Sequence, residues 1–155
     1  MTCKPLLKWA GGKSFLGPIL TEYSKRIKFR RYIEPFFGGG AIYLNIIEQH
    51  PDKRKNAIIN DMNQDLINLY KHIKRSKSLL ISAHKEMIDL YNLKGYNYLR
   101  DCFNQIGGTN FSKIQKSAAL MVINKVCFNG LYRVNSKGIF NVPEGRYIKK
   151  SFIKD

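Results

Sequence analysis

The chain has 155 residues, about one domain in length, and 44% are apolar, which indicates a globular protein and excludes a disordered one. With 27 Lys and Arg against 11 Asp and Glu, its formal net charge of +16 favours a polyanionic partner, with a solvated basic surface as the alternative. No apolar stretch approaches the roughly 20 residues that a membrane-spanning helix needs, so no membrane role is expected.

The cysteines and histidines do not predict a metal or disulfide site. The three cysteines lie far apart and form no C-x-x-C pair: Cys3, Cys102 and Cys127. We interpret them as reduced thiols of a cytoplasmic protein. The three histidines show no ligand spacing: His50, His72 and His84. No metal is therefore predicted.

The first half of the chain is predicted to alternate helices and strands. A helix is predicted over 18–26, with proline at its first position, where a missing N–H costs nothing. A strand over 32–36 ends in three glycines, and the helix that follows, over 41–50, stops at Pro51. The apolar run 57–61 ends in an acid and is typical of a buried parallel strand.

The second half is predicted to be helical and then to form a hairpin. Apolar residues at helical spacing predict a helix after Asp61, capped by Asn60 or Asp61. Further helices are predicted over 78–93, 96–106 and 112–126. The segments 131–135 and 139–142 flank a turn that contains Gly138, a pattern typical of a β-hairpin.

Two features of the first half predict a nucleotide site. Gly38, Gly39 and Gly40 end one strand and open a helix, so the backbone can approach a ligand and the helix N-terminus points at it. Asp61 ends the next strand, roughly 20 residues on, where an acid binds ribose hydroxyls in nucleotide-binding α/β folds. A plain glycine turn with a helix-capping aspartate is the alternative. Spacing alone does not separate a dinucleotide from S-adenosylmethionine.

The Gly-Gly-Lys-Ser of residues 11–14 is not a phosphate-binding Walker loop. Such a loop needs glycine where this chain has Leu7, and no strand precedes the segment.

The predicted hairpin could contact DNA, because a two-stranded ribbon fits the major groove and Arg133 can donate two hydrogen bonds to guanine. Phe128 and Asn129, at the turn leading into it, are placed to wedge against bases. An ordinary hairpin with one surface arginine is the alternative.

Four segments stand in a particular order from about residue 4 to about residue 150. They are Lys8-Trp9-Ala10-Gly11-Gly12-Lys13, Glu34-Pro35-Phe36-Phe37-Gly38-Gly39-Gly40, Asn60-Asp61-Met62-Asn63, and Phe128-Asn129-Gly130-Leu131-Tyr132-Arg133-Val134-Asn135 with Gly138, Phe140-Asn141-Val142-Pro143 and Gly145. Together they resemble the Dam-like class of DNA adenine-N6 methyltransferases and keep its motif order. The resemblance implies S-adenosylmethionine as cofactor and double-stranded DNA as partner, with GATC as the usual target.

The resemblance also implies roles for particular residues. The cofactor is expected to contact three parts of the chain. The segment that closes over it contains Trp9, Gly11, Gly12 and Lys13, the strand-end loop contains Phe36, Phe37, Gly38 and Gly40, and the ribose-binding acid is Asp61. DNA contacts fall to an outer-guanine lysine, two residues that intrude where the adenine flips out, a guanine reader and two partners of a thymine methyl: Lys8, Phe128, Asn129, Arg133, Leu131 and Pro143. Many members have tyrosine at the position of Phe128, so stacking is kept but a hydroxyl is lost.

One family motif does not occur in these 155 residues. The resemblance implies an Asp-Pro-Pro-Tyr that holds the flipped adenine for methyl transfer. No two prolines are adjacent here: Pro5, Pro18, Pro35, Pro51 and Pro143. We therefore predict no catalytic residue in the chain. A missing C-terminal half, with the strand that pairs beside 32–36, is expected as a partner.

These observations predict an α/β fold, an incomplete Rossmann-like methyltransferase sheet with an inserted helical and β-hairpin DNA-recognition segment. Residues 1–75 are assigned to the cofactor-binding part, 76–147 to target recognition and 148–155 to a truncated return to the catalytic domain. The predicted function is adenine-N6 methylation of DNA. The alternatives are a non-catalytic DNA-binding remnant of such an enzyme and a dinucleotide-dependent oxidoreductase, the latter disfavoured by the positive charge.

Overall fold

The computed structural model of the protein describes residues 4–146 and divides them into two units, 4–63 and 64–146. The predicted return to the catalytic domain, 148–155, and Cys3 lie outside the described residues. The boundary between the two units lies after residue 63, so the helix predicted after Asp61 belongs to the second unit. The sequence analysis assigned that helix to the cofactor-binding part, 1–75. In residues 4–146 no helix combines the length and apolar character needed to cross a bilayer.

The first unit has the predicted β-α-β order. Its elements are α1 (Gly17–Arg26), β1 (Ile33–Glu34), α2 (Ala41–Gln49) and β2 (Ile58–Ile59), with 3-10 turns at Ser14–Leu16 and Pro51–Asn56. Both helices lie within one residue of their predicted bounds. α1 packs against α2, and the two strands pair in parallel, with Ile33 opposite Ile58.

The strands of this unit differ from their prediction in length and burial. β1 stops at Glu34 because the ladder loses its register there: the Asn60 carbonyl accepts from the Phe37 N–H at 2.9 Å, one residue beyond the donor that a continued ladder would use. The prediction that 57–61 is a buried strand is wrong, since Ile58 is 46% exposed and its partner Ile33 is 58% exposed. Parallel sheets are buried when helices cover both faces, and the two helices of residues 4–63 leave these side chains partly open.

The second unit contains three packed helices. They are α3 (Gln64–Arg75), α4 (Lys77–Phe103) and α5 (Lys113–Val126). α5 packs against both other helices and begins with a capping box formed by Ser112 and Gln115. α4 is interrupted at Gly95, whose φ of 82° is not helical, so its halves correspond to the two helices predicted there. The predicted caps Asn60 and Asp61 are wrong for α3, because that helix begins only at Gln64.

The predicted hairpin is present as an irregular ribbon over residues 126–145. Its two sides join through isolated antiparallel bridges, Cys127 with Glu144 and Val134 with Phe140, rather than through a continuous ladder. Gly138 occupies the turn at a φ of 74°, and its N–H donates to the Asn135 carbonyl at 2.9 Å. The glycine of the predicted turn is therefore confirmed, and the regular strands are not.

Candidate cofactor and nucleic-acid sites

A cavity of about 840 Å³ lies where β1 and β2 end. Its walls come from the N-terminal segment 4–14, the loop after β1, one face of α2, and Asp61 after β2. Its volume is within the range of about 300–1,000 Å³ typical of small-molecule sites. The carboxyl ends of parallel strands are also where open α/β sheets bind their ligands.

The glycine loop after β1 leaves no room for a Cβ at Gly40 and little room for one at Gly38 and Gly39. A Cβ on Gly40 would lie 2.6 Å from Cζ of Phe37, and Gly40 has a φ of +76°. A Cβ on Gly38 or Gly39 would lie 3.1 Å from the Trp9 side chain. Trp9 therefore lies directly on the glycine loop, and this contact joins the first two sequence motifs in one wall of the cavity.

We expect Gly40→Ala to lower the free energy of unfolding more than Gly11→Ala does. Both glycines have positive φ, +76° and +74°, but a Cβ on Gly11 meets no atom within 4 Å. The control therefore carries only the left-handed backbone cost, about 1–2 kcal/mol, and Gly40→Ala adds the overlap with Phe37. Urea denaturation of both variants measures the difference. Equal losses would show that the Phe37 ring moves aside without cost.

Asp61 ties the glycine loop to the end of β2. Its Oδ2 accepts a hydrogen bond from the Gly38 N–H at 2.8 Å, and its Oδ1 accepts one from the Asn63 N–H at 2.9 Å. Beside it, the Phe37 N–H donates to the Asn60 carbonyl at 2.9 Å. Each carboxylate oxygen can accept two hydrogen bonds, so Asp61 keeps acceptor capacity for a ligand.

The cavity presents acids and bases together. Glu34 lines it and accepts a hydrogen bond from the Tyr32 hydroxyl at 2.6 Å. Burial raises the pKa of Glu34, and the hydrogen bond from Tyr32 opposes this rise. Lys8 and Lys13, both exposed, supply positive charge to the same cavity. S-adenosylmethionine carries two cationic groups, a carboxylate and ribose hydroxyls, and this mixture of donors and acceptors fits it.

Eight of the nine residues predicted to bind the cofactor line this cavity: Trp9, Gly11, Gly12, Lys13, Phe36, Phe37, Gly38 and Asp61. The ninth, Gly40, does not line the cavity and packs against the Phe37 ring within the same loop. Lys8, predicted to contact DNA, also lines the cavity.

The sequence interpretation missed the contribution of α2. Ala41, Asn45 and Glu48 line the cavity at positions i, i+4 and i+7 of this helix. That spacing places residues on one helix face, and it is visible in the sequence once the helix is assigned. Glu34 was missed too, because its position next to proline suggested only the end of a strand.

In the second unit, the helices hold the ribbon from one side. The Asn104 side chain donates to the Phe140 carbonyl and accepts from the Phe140 N–H, both at 2.9 Å. The Tyr96 hydroxyl donates to the Val142 carbonyl at 2.6 Å. The Tyr132 hydroxyl donates to Asp65 at 2.8 Å. These bonds fix the ribbon backbone on the helices and leave its other side open.

The ribbon contains five of the six residues predicted to contact DNA, all except Lys8. Phe128 is 50% exposed, and its N–H donates to the Pro143 carbonyl at 2.9 Å across the ribbon. Asn129 is exposed in a left-handed turn, with a φ of 53°. Arg133 is exposed and donates twice to Asn141, from Nε to Oδ1 at 2.8 Å and from Nη2 to the carbonyl at 3.2 Å. Leu131 is half-buried between them.

A glycine loop that opens a helix, with an acid at the end of the next strand, is an arrangement typical of nucleotide-binding α/β folds. Residues 9–155 match the family model described as D12 class N6 adenine-specific DNA methyltransferase. The chain therefore belongs to the D12 class N6 adenine-specific DNA methyltransferase family.

Individual relatives agree with this assignment. The chain is 40% identical over 95% of its length to the type II methyltransferase M.MjaIII of Methanocaldococcus jannaschii, and covers 54% of that protein. It is 38% identical over 93% of its length to the type II methyltransferase M1.LlaDCHI of Lactococcus lactis subsp. cremoris, and covers 48% of it. It is 36% identical over 96% of its length to the DNA adenine methylase of Serratia marcescens, and covers 52% of it. The chain thus spans about half the length of these relatives.

Proposed function

We propose that this chain binds S-adenosylmethionine and double-stranded DNA for adenine-N6 methylation at GATC-type sites. The cofactor part of this proposal rests on one observation. Asp61 accepts a hydrogen bond from the Gly38 N–H in the cavity at the ends of β1 and β2. In it, residues 1–75 serve the cofactor, and 76–147 form a recognition segment inserted into an incomplete Rossmann-like sheet. We also propose a cytoplasmic location, where DNA and reduced thiols occur together.

Each wall of the cavity has a role in holding the cofactor. Asp61 accepts hydrogen bonds from the ribose hydroxyls, and the Glu34 carboxylate faces the cationic part of the ligand. Trp9 covers the glycine loop and excludes water from it. When bound, S-adenosylmethionine supplies the activated methyl group. The residues of this chain bind and orient it.

On the DNA side, Arg133 is held ready to read a guanine. Its two hydrogen bonds to Asn141 fix the plane of the guanidinium and use two of its five N–H groups. The remaining donors serve a base edge in the major groove. Phe128 and Asn129 intrude at the site that the flipped adenine leaves, and Leu131 and Pro143 pack on a thymine methyl. Lys8 contacts an outer guanine.

We expect Arg133→Ala to remove about 1–3 kcal/mol of discrimination between GATC and a duplex altered at one guanine. Asn141→Ala should cause part of this loss, because it removes the bond from Arg133 Nε to the Asn141 side chain and keeps the one to the backbone carbonyl. Fluorescence anisotropy with matched and altered duplexes measures both effects.

Lys137→Gln, in the exposed turn of the same ribbon, is the matched control. It removes one charge and should weaken binding to every duplex alike, with a salt slope reduced by about 0.9. Should Arg133→Ala also weaken all duplexes alike, Arg133 contacts a phosphate, and the assignment of base reading is wrong.

A further inference from the structure

One polar side chain is buried at the end of α5, next to the exposed turn that contains Phe128 and Asn129. Asn124 is 4% exposed and lies in the last turn of the helix. The other buried residues of that last turn are apolar, Ile123 and Val126. Burying an amide costs free energy unless it forms hydrogen bonds, so an asparagine at this position indicates a specific partner.

The partner of Asn124 is the backbone of the exposed turn. Its Nδ2 donates to the Gly130 carbonyl at 2.9 Å, and both residues are buried. Gly130 directly follows Asn129, so this bond fixes the chain where it leaves the exposed pair. Sγ of buried Cys127 donates to the next carbonyl, that of Leu131, at 3.3 Å. Two side chains at the end of α5 therefore hold the backbone that follows Phe128 and Asn129.

The turn needs support because its backbone conformation is unfavourable. Asn129 has a φ of 53° and Gly130 one of 64°, which makes two left-handed residues in succession. This region is costly for a residue with a Cβ, and such a conformation persists where the surrounding structure holds it. The two backbone bonds within the turn, at 3.1 and 3.2 Å, are longer than the 2.9 Å bond from Asn124. The side-chain bond therefore contributes to the shape of the turn.

We propose that Asn124 is a positioning residue for the entry of Phe128 and Asn129 into the duplex. This inference rests on the proposed function, in which these two residues intrude at the site that the flipped adenine leaves. Insertion between bases requires unstacking, which costs free energy, and a wedge that is ordered before binding loses less affinity to ordering than a mobile one. Because Asn124 is buried, it acts through the turn and does not touch the DNA.

The test uses two GATC duplexes that differ only at the target adenine, which is intact in one and replaced by an abasic site in the other. Intrusion at a vacated position avoids the cost of unpairing and unstacking the adenine, so the unmodified chain should bind the abasic duplex about tenfold more tightly. Asn124→Leu keeps the approximate size of the side chain but removes the donor, and should reduce this preference to about threefold or less. Fluorescence anisotropy measures both affinities.

Asn104→Leu is the matched control. Asn104 also joins a helix to the ribbon backbone, through two hydrogen bonds of 2.9 Å, but it does so at Phe140, which pairs with Val134 and lies outside the turn. Both variants should lower the free energy of unfolding measured in urea. Asn104→Leu should nevertheless keep the tenfold preference for the abasic duplex.

Three results would overturn the proposal. Loss of the preference in both variants would mean that it follows the stability of the ribbon. A preference kept in Asn124→Leu would show that the turn needs no support from α5. If Asn124→Leu does not fold, Asn124→Ala replaces it, and failure of both to fold would assign Asn124 to the fold alone. The proposed function fails separately, if the unmodified chain binds no duplex DNA or binds the two duplexes equally.

Discussion

Asp61→Ala is expected to weaken S-adenosylmethionine binding by about 1–3 kcal/mol, roughly 5- to 150-fold. The variant removes the acceptor proposed for the ribose, and it also leaves the N–H groups of Gly38 and Asn63 without their carboxylate partner. The free energy of unfolding should therefore fall as well. Isothermal titration calorimetry and urea denaturation measure the two effects separately.

Glu48→Gln provides the matched control for Asp61. Glu48 lines the same cavity and carries the same charge, but it belongs to α2. Its neutralisation should change affinity far less than Asp61→Ala does. If the two substitutions weaken binding equally, the cofactor responds to the charge of the cavity, and Asp61 is not the ribose ligand.

Residues 1–155 alone are expected to transfer no methyl group to adenine, even with saturating cofactor and GATC duplex. Asp61 and Arg133 place cofactor and DNA, whereas methyl transfer needs groups that hold the extruded amino nitrogen in line with the methyl. No acid in the sequence is followed by two prolines. The assay is incorporation of tritiated methyl into GATC oligonucleotides, with DNA binding by the same sample as the control for folding.

A complementing segment provides a second test of whether this chain lacks the groups needed for methyl transfer. Adding, in trans, the part of a close homologue that carries Asp-Pro-Pro-Tyr should restore methyl transfer. Methylation by the purified chain alone would mean that the reactive groups lie among these residues. Binding without rescue would favour the non-catalytic DNA-binding protein.

The sequence predicted helices well and strands less well, for a local reason. The bounds of α1, α2 and α5 follow from prolines, glycines and capping residues that act within one turn. Strand length and burial depend on neighbours that are distant in sequence. The exposure of Ile33 and Ile58 could not be read from their apolar character, because it depends on what covers the sheet.

In the candidate sites, too, the sequence predicted which residues take part, and their contacts with distant residues appear only in the structure. The glycines and Asp61 were identified from spacing, but the bond between Asp61 and Gly38 joins residues from two strands and appears only in the fold. Likewise, the sequence indicates an arginine in a ribbon, whereas its two bonds to Asn141 depend on the register of that ribbon. Family motifs supplied the roles proposed for these residues.

Calorimetric titration of the unmodified chain with S-adenosylmethionine and, separately, with NAD⁺ tests the central claim most directly. The glycine loop and Asp61 suit a ribose-containing ligand in general, so the choice between the two ligands is decisive. We expect one molecule of S-adenosylmethionine to bind per chain, with Asp61→Ala weakening the interaction, and no heat of binding from NAD⁺. Binding of NAD⁺ in preference to S-adenosylmethionine would contradict the account.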